Sequence, residues 1–166
     1  MDQLWAPWRG EFIAEKPPEG CIFCLFPAEA GAQVDRGNLV LGRSPHSFAI
    51  LNKYPYNNGH LMVIPRRHTA DFGALPTAEL QDLIVLLQQS LAILGKAYNP
   101  AGFNLGMNLG RSAGAGIADH LHWHVVPRWD GDTNFMPVMN DTKVMIEHLG
   151  QSWDKLRPAF EALVGQ

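Results

Sequence analysis

The alternation of apolar and polar positions predicts short β-strands on either side of one long helix. Apolar runs with a period of two residues, bounded by Gly, Pro and Asn, are typical of strands. Segments of this kind are 39–43, 47–52, 60–65, 102–109 and 120–127. The strand that contains residues 60–65 is apolar along its whole length, so we expect it to be buried.

Apolar residues at helical spacing predict an amphipathic helix from Thr77 to about Tyr98. Thr77 is the expected N-cap, and Asn99-Pro100 is expected to end the helix. Two C-terminal helices are predicted, 142–149 and 152–164, the second with Ser152 as its N-cap. Residues 21–38 are expected to form turns and loops. The order of strands, helix, strands and terminal helices favours an α+β fold with an antiparallel sheet of about five strands.

The composition is that of an ordinary globular domain. The 166 residues are enough for a single domain with its own core, and 46% of them are hydrophobic. A formal net charge of −3 argues against a general nucleic-acid binder but not against a small nucleotide ligand. No apolar run approaches the roughly 18 residues of a membrane span, and residues 1–12 do not resemble a signal peptide. We therefore expect a cytoplasmic protein with no membrane or nucleic-acid partner.

The segment 120–127 carries histidines at alternate positions, His120, His122 and His124. A strand sends neighbouring side chains to opposite faces, so the three imidazoles are expected on one face, with about 6.5–7 Å between alternate residues. Imidazoles in this arrangement can hold a metal, contact phosphate, act as acid or base, or attack phosphorus. The histidines alone do not separate these options.

The segment between the last two predicted strands is rich in glycine. Residues 110–116 are a loop of small residues that lets backbone amides approach an anion, and Ser112 adds a hydroxyl group. Upstream, Cys21 and Cys24 are the two cysteines of the chain. Their C-x-x-C spacing indicates a metal-ligand pair or a redox pair, and buried free thiols are the simplest alternative.

The histidine segment and the strand before the long helix resemble a known family. The order H-h-H-h-H-h-h over residues 120–126, where h is apolar, resembles the signature of the histidine triad (HIT) family. Residues 57–65 resemble the glycine–histidine strand of that family, and the similarity extends over roughly residues 20–130. A narrower resemblance, carried by residues 4–9, 54–57, 102–104 and 126–135, is to the bacterial diadenosine tetraphosphate phosphorylase-like branch.

The resemblance implies a single HIT domain over residues 1–166. Its core would be about 20–130, preceded by an aromatic and proline-rich arm, 1–19, and followed by a helical extension, 140–166. Members of the family are commonly homodimers, so a homodimer is expected.

The resemblance also implies roles for individual residues. His122 would be the nucleophile, His124 would contact phosphate or the leaving group, and His60 would support the nucleophile by hydrogen bonding. Asn52 matches the position that contacts the ribose. Phosphate would be bound around the glycine-rich loop, by Asn108, Ser112, Gly114, Gly116 and Ile117.

A structural zinc site is the remaining implication. Some bacterial members of the family bind zinc through a cysteine pair and two histidines, and the matching residues here are Cys21, Cys24, His68 and His120. No organic cofactor is expected.

The resulting hypothesis is an enzyme that cleaves dinucleoside polyphosphates at the α-phosphate through a nucleotidyl-histidine. Its acceptor, water or inorganic phosphate, is left open by the sequence. The alternatives are a nucleoside phosphoramidate hydrolase of the same fold, a non-catalytic nucleotide-binding module, and a metal-dependent hydrolase that uses the three histidines.

Overall fold

A computed structural model describes residues 20–132 and 145–164. The aromatic arm 1–19 lies outside the described residues. The elements in chain order are helices α1 (Ile22–Leu25) and α2 (Ala32–Gly37), strands β1 (Val40–Arg43), β2 (Ser47–Leu51) and β3 (Leu61–Pro65), a 3₁₀ turn (Phe72–Ala74), helix α3 (Thr77–Tyr98), strand β4 (Gly102–Met107), a 3₁₀ turn (Arg111–Ala113), strand β5 (Trp123–Arg128) and helix α4 (Leu149–Val164).

The five strands form one antiparallel sheet in the order β1-β2-β3-β5-β4. This confirms the α+β class and the antiparallel sheet expected from the sequence. Strand β5 lies between β3 and β4, so the histidine-bearing segment joins the interior of the sheet rather than an edge. Strands β1 and β4 are the two edges.

The two faces of the sheet bury different residues. Helices α3 and α4 cover one face, which contributes Leu51, Leu61, Val63 and Val125 to the larger apolar cluster. The opposite face packs a smaller apolar cluster around Phe23 of α1: Val40, Phe48, Ile50, Met62 and Ile64. Because side chains alternate along a strand, His124 points to the same face as the smaller cluster. The site described below therefore lies on the face away from the long helix.

The predicted strands agree with the structure to within one or two residues at most ends. The largest difference concerns 120–127, where the strand begins at Trp123 and not at His120. Strand β3 pairs with β5 only through Leu61, Met62 and Val63, and the backbone N–H of Leu121 donates instead to the carbonyl of Thr69 at 2.8 Å. Residues 120–122, which carry the first two triad histidines, therefore lie outside the sheet, and the pairing with β3 begins only at Trp123.

The first predicted C-terminal helix, 142–149, is wrong where the structure describes it, and the second, 152–164, is confirmed but starts earlier. Residues 145–148 are not helical, and one helix runs from Leu149; residues 142–144 lie outside the described part. Ser152 is inside this helix and buried, and its hydroxyl donates to Glu147 Oε2 at 2.7 Å. The phenol of Tyr98 donates to the same oxygen at 2.6 Å. Glu147 therefore lies just before α4 and is held by Tyr98 of α3 and by Ser152 inside α4, so Ser152 is not the N-cap of the helix.

Two local predictions near the helices also need correction. Thr77 is the first helical residue of α3 and Pro76 is its N-cap, whose carbonyl accepts from the backbone N–H of Leu80 at 3.0 Å. Residues 21–38 contain the short helices α1 and α2 rather than turns and loops alone. At the other end of α3 the expectation is confirmed: Asn99 takes a left-handed conformation, with φ of 43°, which ends the helix.

None of the helices in residues 20–132 and 145–164 combines the length and the apolar character that crossing a membrane requires.

Candidate active site and metal-ligand cluster

The ring of His122 is held by the backbone immediately before it. Its Nδ1 lies 2.9 Å from the carbonyl oxygen of His120, and the side chain is buried. A carbonyl can only accept, so Nδ1 of His122 carries the proton and donates it. The other nitrogen, Nε2, is then unprotonated in the neutral ring and presents a lone pair. This is the state that a nucleophilic imidazole requires.

Hydrogen bonds also fix the tautomers of His60 and His124. The backbone N–H of Tyr56 donates to Nδ1 of His60 at 3.0 Å, so the proton of His60 is on Nε2. That Nε2 lies 3.0 Å from Nδ1 of His124 and donates to it. His124 is left with its proton on Nε2. The backbone N–H of Tyr56 therefore determines, through His60, that the free nitrogen of His124, Nε2, is a hydrogen-bond donor.

Burial keeps both of these rings neutral. Desolvation, together with the nearby His124, lowers the pKa of His60 to about 3. Desolvation, together with His122, lowers the pKa of His124 to about 4. Near pH 7, His124 is accordingly a neutral donor rather than a cation. It can stabilise charge that develops on an oxygen, but it has no second proton to give away.

The expected contact between His60 and the nucleophile is not the one observed. His60 was expected to support His122, whereas its hydrogen bond goes to His124, and His122 is supported by the His120 carbonyl. The reason is the register of the sheet, which pairs Met62 of β3 with His124 and leaves His122 outside the ladder.

The turn before β3 places His60. Gly59 has a φ of 72°, and a Cβ there would lie 2.9 Å from Cε2 of Tyr98, so conformation and space both require glycine. Asn57 is buried, and its carbonyl accepts from the backbone N–H of His60 at 3.1 Å. The Asn57 side chain donates to the carbonyl of Pro127 at 3.0 Å. This turn thereby ties the His60 segment to the end of β5.

Tyr56 contacts two of the site histidines, and the sequence did not assign it to the site. Besides its backbone donor, its ring lies against His60 and His124, with centroid separations of 4.7 and 5.9 Å. The residue as a whole is 57% exposed. The residue belongs to the turn 54–59, which the sequence did identify, but its N–H could not be linked to His60 without the backbone conformation.

A separate group of metal-ligating side chains lies next to His122. Cys21, Cys24, His68 and His120 bring four ligand atoms within 4.8 Å of one another. Nδ1 of His120 lies 3.3 Å from Cys21 Sγ and 3.6 Å from Cys24 Sγ, and Nδ1 of His68 lies 3.3 Å from Cys24 Sγ. The two cysteines are free thiols. The predicted cluster could therefore bind a metal.

These separations suit a zinc ion. Zn–S and Zn–N bonds of about 2.3 and 2.0 Å at tetrahedral angles put sulfur and nitrogen about 3.5 Å apart. Nε2 of His120 donates to the carbonyl of Pro65 at 2.8 Å, which leaves Nδ1 as the free ligand atom. The donor set of two thiols and two imidazoles is that of closed structural sites. The ring of His120 therefore lies in the cysteine cluster, whereas those of His122 and His124 do not.

The predicted nucleotide-contacting residues differ in what they contact. Asn52 directly follows strand β2. Its Oδ1 accepts from the backbone N–H of Tyr54 at 2.9 Å, and its Nδ2 lies 3.4 Å from Nε2 of His60. Ile117 packs against the smaller apolar cluster. Ser112, Gly114 and Gly116 are exposed, and Asn108 Nδ2 reaches the Gly114 carbonyl at 3.5 Å. For all of these residues, contact with a nucleotide remains a prediction.

A cavity of about 380 Å³ opens beside His124 on the side of β4. Its far end carries Arg128, which makes a two-pronged ion pair with Asp132 at 2.6 and 2.9 Å. This pair holds the pKa of Asp132 well below its ordinary value. The residues that line the cavity are Tyr56, Asn57, Asn104, Leu105, Gly106, Asn108, His124, Val126 and Arg128.

Comparison with known proteins agrees with this geometry. Residues 35–131 match the sequence profile of the HIT domain. The chain is 39% identical over 150 residues to the AP-4-A phosphorylase of two Mycobacterium tuberculosis strains, covering 87% of this chain and 77% of that protein. The structure of a hypothetical histidine triad nucleotide-binding protein from Sulfolobus tokodaii is similar, with a TM-score of 0.65, 27% identity and coverage of 86% and 93%. A Zn-bound histidine triad family protein from Mycobacterium smegmatis has a TM-score of 0.65 at 24% identity, with coverage of 87% and 96%.

Proposed function

This chain belongs to the HIT domain family, and from that membership and the site geometry we propose that it is a diadenosine tetraphosphate phosphorylase. The substrate class follows from the AP-4-A phosphorylase relative. The observation that carries the chemistry is the hydrogen bond from His122 Nδ1 to the His120 carbonyl, because it leaves Nε2 free to attack phosphorus.

In the first step, Nε2 of His122 attacks the α-phosphorus of the substrate. The N–P bond forms as the bond from phosphorus to the bridging oxygen breaks, and the electron pair leaves on that oxygen. The Nε2–H of His124 donates a hydrogen bond to the charge that develops there. A polyphosphate is a stable anion near neutral pH, so a neutral donor is sufficient and a protonated acid is not required.

In the second step, inorganic phosphate attacks the nucleotidyl group. The P–N bond breaks, its electron pair returns to His122 Nε2, and a nucleoside diphosphate is released. Water in place of phosphate would release the mononucleotide. Asn52 at the ribose and the segment 108–117 at the phosphates complete the proposed binding site.

We also propose that Cys21, Cys24, His68 and His120 hold a structural zinc ion. The support is the ligand set and its separations, which fit tetrahedral coordination. The ion would supply stability and no chemical step. By fixing His120, it would hold the carbonyl that orients His122.

The proposed dimer uses the edge of the sheet. Strand β4 is an edge, and the exposed apolar side chains of Leu105 and Leu109 lie on or just after it. A second copy that paired with this edge would cover both. Sedimentation equilibrium of wild type and Leu105→Lys tests the pairing: we expect a dimer that the lysine weakens, and a monomeric wild type would exclude it.

The decisive experiment is incubation with diadenosine tetraphosphate, with and without phosphate, followed by chromatography of the products. A phosphorylase yields ADP and ATP only when phosphate is present. AMP and ATP without phosphate would indicate a hydrolase instead. His122→Ala should remove turnover, and full activity in that variant would exclude the covalent mechanism.

The alternatives make different predictions in the same assay. A nucleotide-binding module would bind substrate without any turnover. A phosphoramidate hydrolase would act on adenosine 5′-phosphoramidate and not on the tetraphosphate. A metal-dependent hydrolase that uses the three histidines is disfavoured because the His120 ring contacts the cysteines, away from the free edges of His122 and His124.

A further inference from the structure

A glycine occupies the position next to His124 on the neighbouring strand. Gly106 of β4 pairs with His124 of β5 in the sheet register. Its φ is outside the left-handed region, and a Cβ at this position would meet no atom within 4 Å. Neither backbone conformation nor packing therefore requires glycine here, although glycine weakens a strand. The missing side chain leaves free space directly beside a ring of the active site.

That space is the cavity between His124 and Arg128. Gly106 and Val126 line it, as do Asn104 of β4 and Asn108 just after the strand, which alternation places on the same face as the glycine. Its volume of about 380 Å³ is within the range of small-molecule sites. His124 and Arg128 lie four residues apart on one strand, or about 13 Å, which is long enough for a polyphosphate chain.

The two sides of this sheet face differ in polarity. Toward β2 the face is apolar, with Phe48, Ile50 and Met62. Toward β4 it carries the amides of Asn104 and Asn108 and the guanidinium of Arg128. A nucleoside suits the first side and phosphate oxygens suit the second.

Hydrogen bonds hold the polar end of the cavity together. All three nitrogen atoms of the Arg128 guanidinium donate hydrogen bonds. Nε and Nη2 donate to the Asp132 carboxylate, and Nη1 donates to Oδ1 of Asn104 at 2.6 Å. The contact on Oδ1 directs the Asn104 amide so that its own N–H groups are available to a ligand. Asp132 also accepts from Asn57 at 2.8 Å, which fixes the ion pair to the turn before β3.

We propose that this cavity is the subsite for the leaving nucleoside polyphosphate and for the inorganic phosphate that replaces it. The inference rests on the proposed phosphorylase function. In-line displacement requires the leaving oxygen to depart opposite His122 Nε2. The acceptor must then attack the nucleotidyl-histidine from that same side to break the P–N bond. One subsite therefore serves both steps: a P–O bond breaks as the P–N bond forms, and the P–N bond breaks as a new P–O bond forms.

Gly106→Val tests the subsite by filling it, and Gly102→Val is the matched control. Gly102 is on the same face of β4 and also has open space at its Cβ position, but it does not line the cavity. Valine is favourable in strands, so both variants should fold. Each is placed in a His122→Ala background, which prevents turnover, and binding of AMP and of diadenosine tetraphosphate is measured by calorimetry.

The expected result is selective. Gly106→Val should weaken binding of the tetraphosphate by at least about tenfold and leave AMP within about twofold, because a clash acts only on the ligand that enters the cavity. Gly102→Val should change neither. Equal effects on both ligands, or none, would overturn the subsite. Failure of the His122→Ala parent to bind either ligand would instead contradict the proposed function.

The acceptor half of the proposal is tested in the active enzyme. Gly106→Val and Arg128→Lys should each raise the KM for phosphate in phosphorolysis by more than about fivefold, since the lysine cannot keep the two-pronged geometry with Asp132. An unchanged KM for phosphate in both variants would exclude this cavity as the acceptor site.

Discussion

The carbonyl oxygen of His120 lies 2.9 Å from Nδ1 of His122, while the His120 ring faces the sulfur atoms of Cys21 and Cys24. One residue therefore belongs to two sites, with its side chain in the metal-ligand cluster and its backbone at the proposed nucleophile. Phe23 packs against both rings, with centroid separations of 5.6 and 5.3 Å. Loss of a ligand in the cluster should consequently shift the His120 backbone, and with it the carbonyl that orients His122.

Loss of a metal ligand should reduce both stability and activity. We expect Cys24→Ser to lower bound zinc well below one ion per chain and the free energy of unfolding by about 3 kcal/mol or more. The value of kcat should fall while His122 remains in place, because the His120 carbonyl is less firmly held. Elemental analysis, urea unfolding and steady-state kinetics provide the three measurements.

His46→Gln is the control for this prediction, since His46 is an exposed histidine outside the cluster. It should retain zinc, stability and activity. Wild-type zinc content in Cys24→Ser would show that the cluster is not the metal site.

Removing the hydrogen-bond donor of His124 should slow the chemical step. Loss of one donor at a developing charge costs about 10²–10³ in kcat, so His124→Ala should fall by that factor on diadenosine tetraphosphate. A KM that rises with kcat unchanged would mean that His124 contributes binding only.

His60 should act through His124, as a positioning residue. His60→Phe leaves the backbone N–H of Tyr56 without its acceptor and His124 Nδ1 without its donor, and we expect a loss of about tenfold in kcat with about 1–3 kcal/mol of stability. His60→Gln keeps an acceptor and a donor and should recover part of the activity. Equal kcat values in the two variants would argue against the hydrogen-bond chain.

The neutral buried histidines should make stability fall in mild acid. In the unfolded chain the ordinary pKa of 6.5 applies to His60 and His124, against about 3 and about 4 when folded. Between these pKa values the unfolded chain binds more protons than the folded chain. The free energy of unfolding is therefore undiminished by these histidines above pH 6.5 and declines as the pH falls. The slope approaches about 1.4 kcal/mol per pH unit for each histidine.

Urea unfolding of wild type and His60→Gln between pH 7 and pH 4.5 checks this slope, because contributions common to both proteins cancel. The wild type should lose stability more steeply. Parallel curves would contradict the assigned neutral state of His60.

A buried ion pair should stabilise the N-terminal edge of the sheet. Asp35 of α2 is 2% exposed and contacts Arg43 of β1 at 2.6 Å and Arg157 of α4 at 3.0 Å. Asp35→Asn would leave two guanidinium groups, each 15% exposed, without their counter-ion, and should cost about 3–5 kcal/mol in urea unfolding.

The exposed pair of Arg36 and Asp154 offers the comparison, with side chains 53% and 54% exposed. Asp154→Asn should cost less than about 1 kcal/mol. Similar losses in the two variants would show that burial does not set the strength of the Asp35 network.

The sequence by itself determined the elements and the residue types of the site. Local periodicity and turn residues are properties of neighbouring positions, so the strands and α3 were predicted to within a few residues. The short helices α1 and α2 and the start of α4 were not predicted. At α4, Glu147 just before the helix accepts from Tyr98, 49 positions away, and such a contact leaves no signal in the local sequence.

Only the tertiary structure decided how the histidines divide. The spacing of His120, His122 and His124 predicted one row on one face, and family resemblance was needed to assign them separate roles. The sheet ladder reaches Trp123 and stops, so His120 can turn toward cysteines 96 and 99 positions away, and His60 bonds to His124 rather than to His122. These contacts depend on strand register and chain reversal, which follow from packing of the whole domain and not from any local segment.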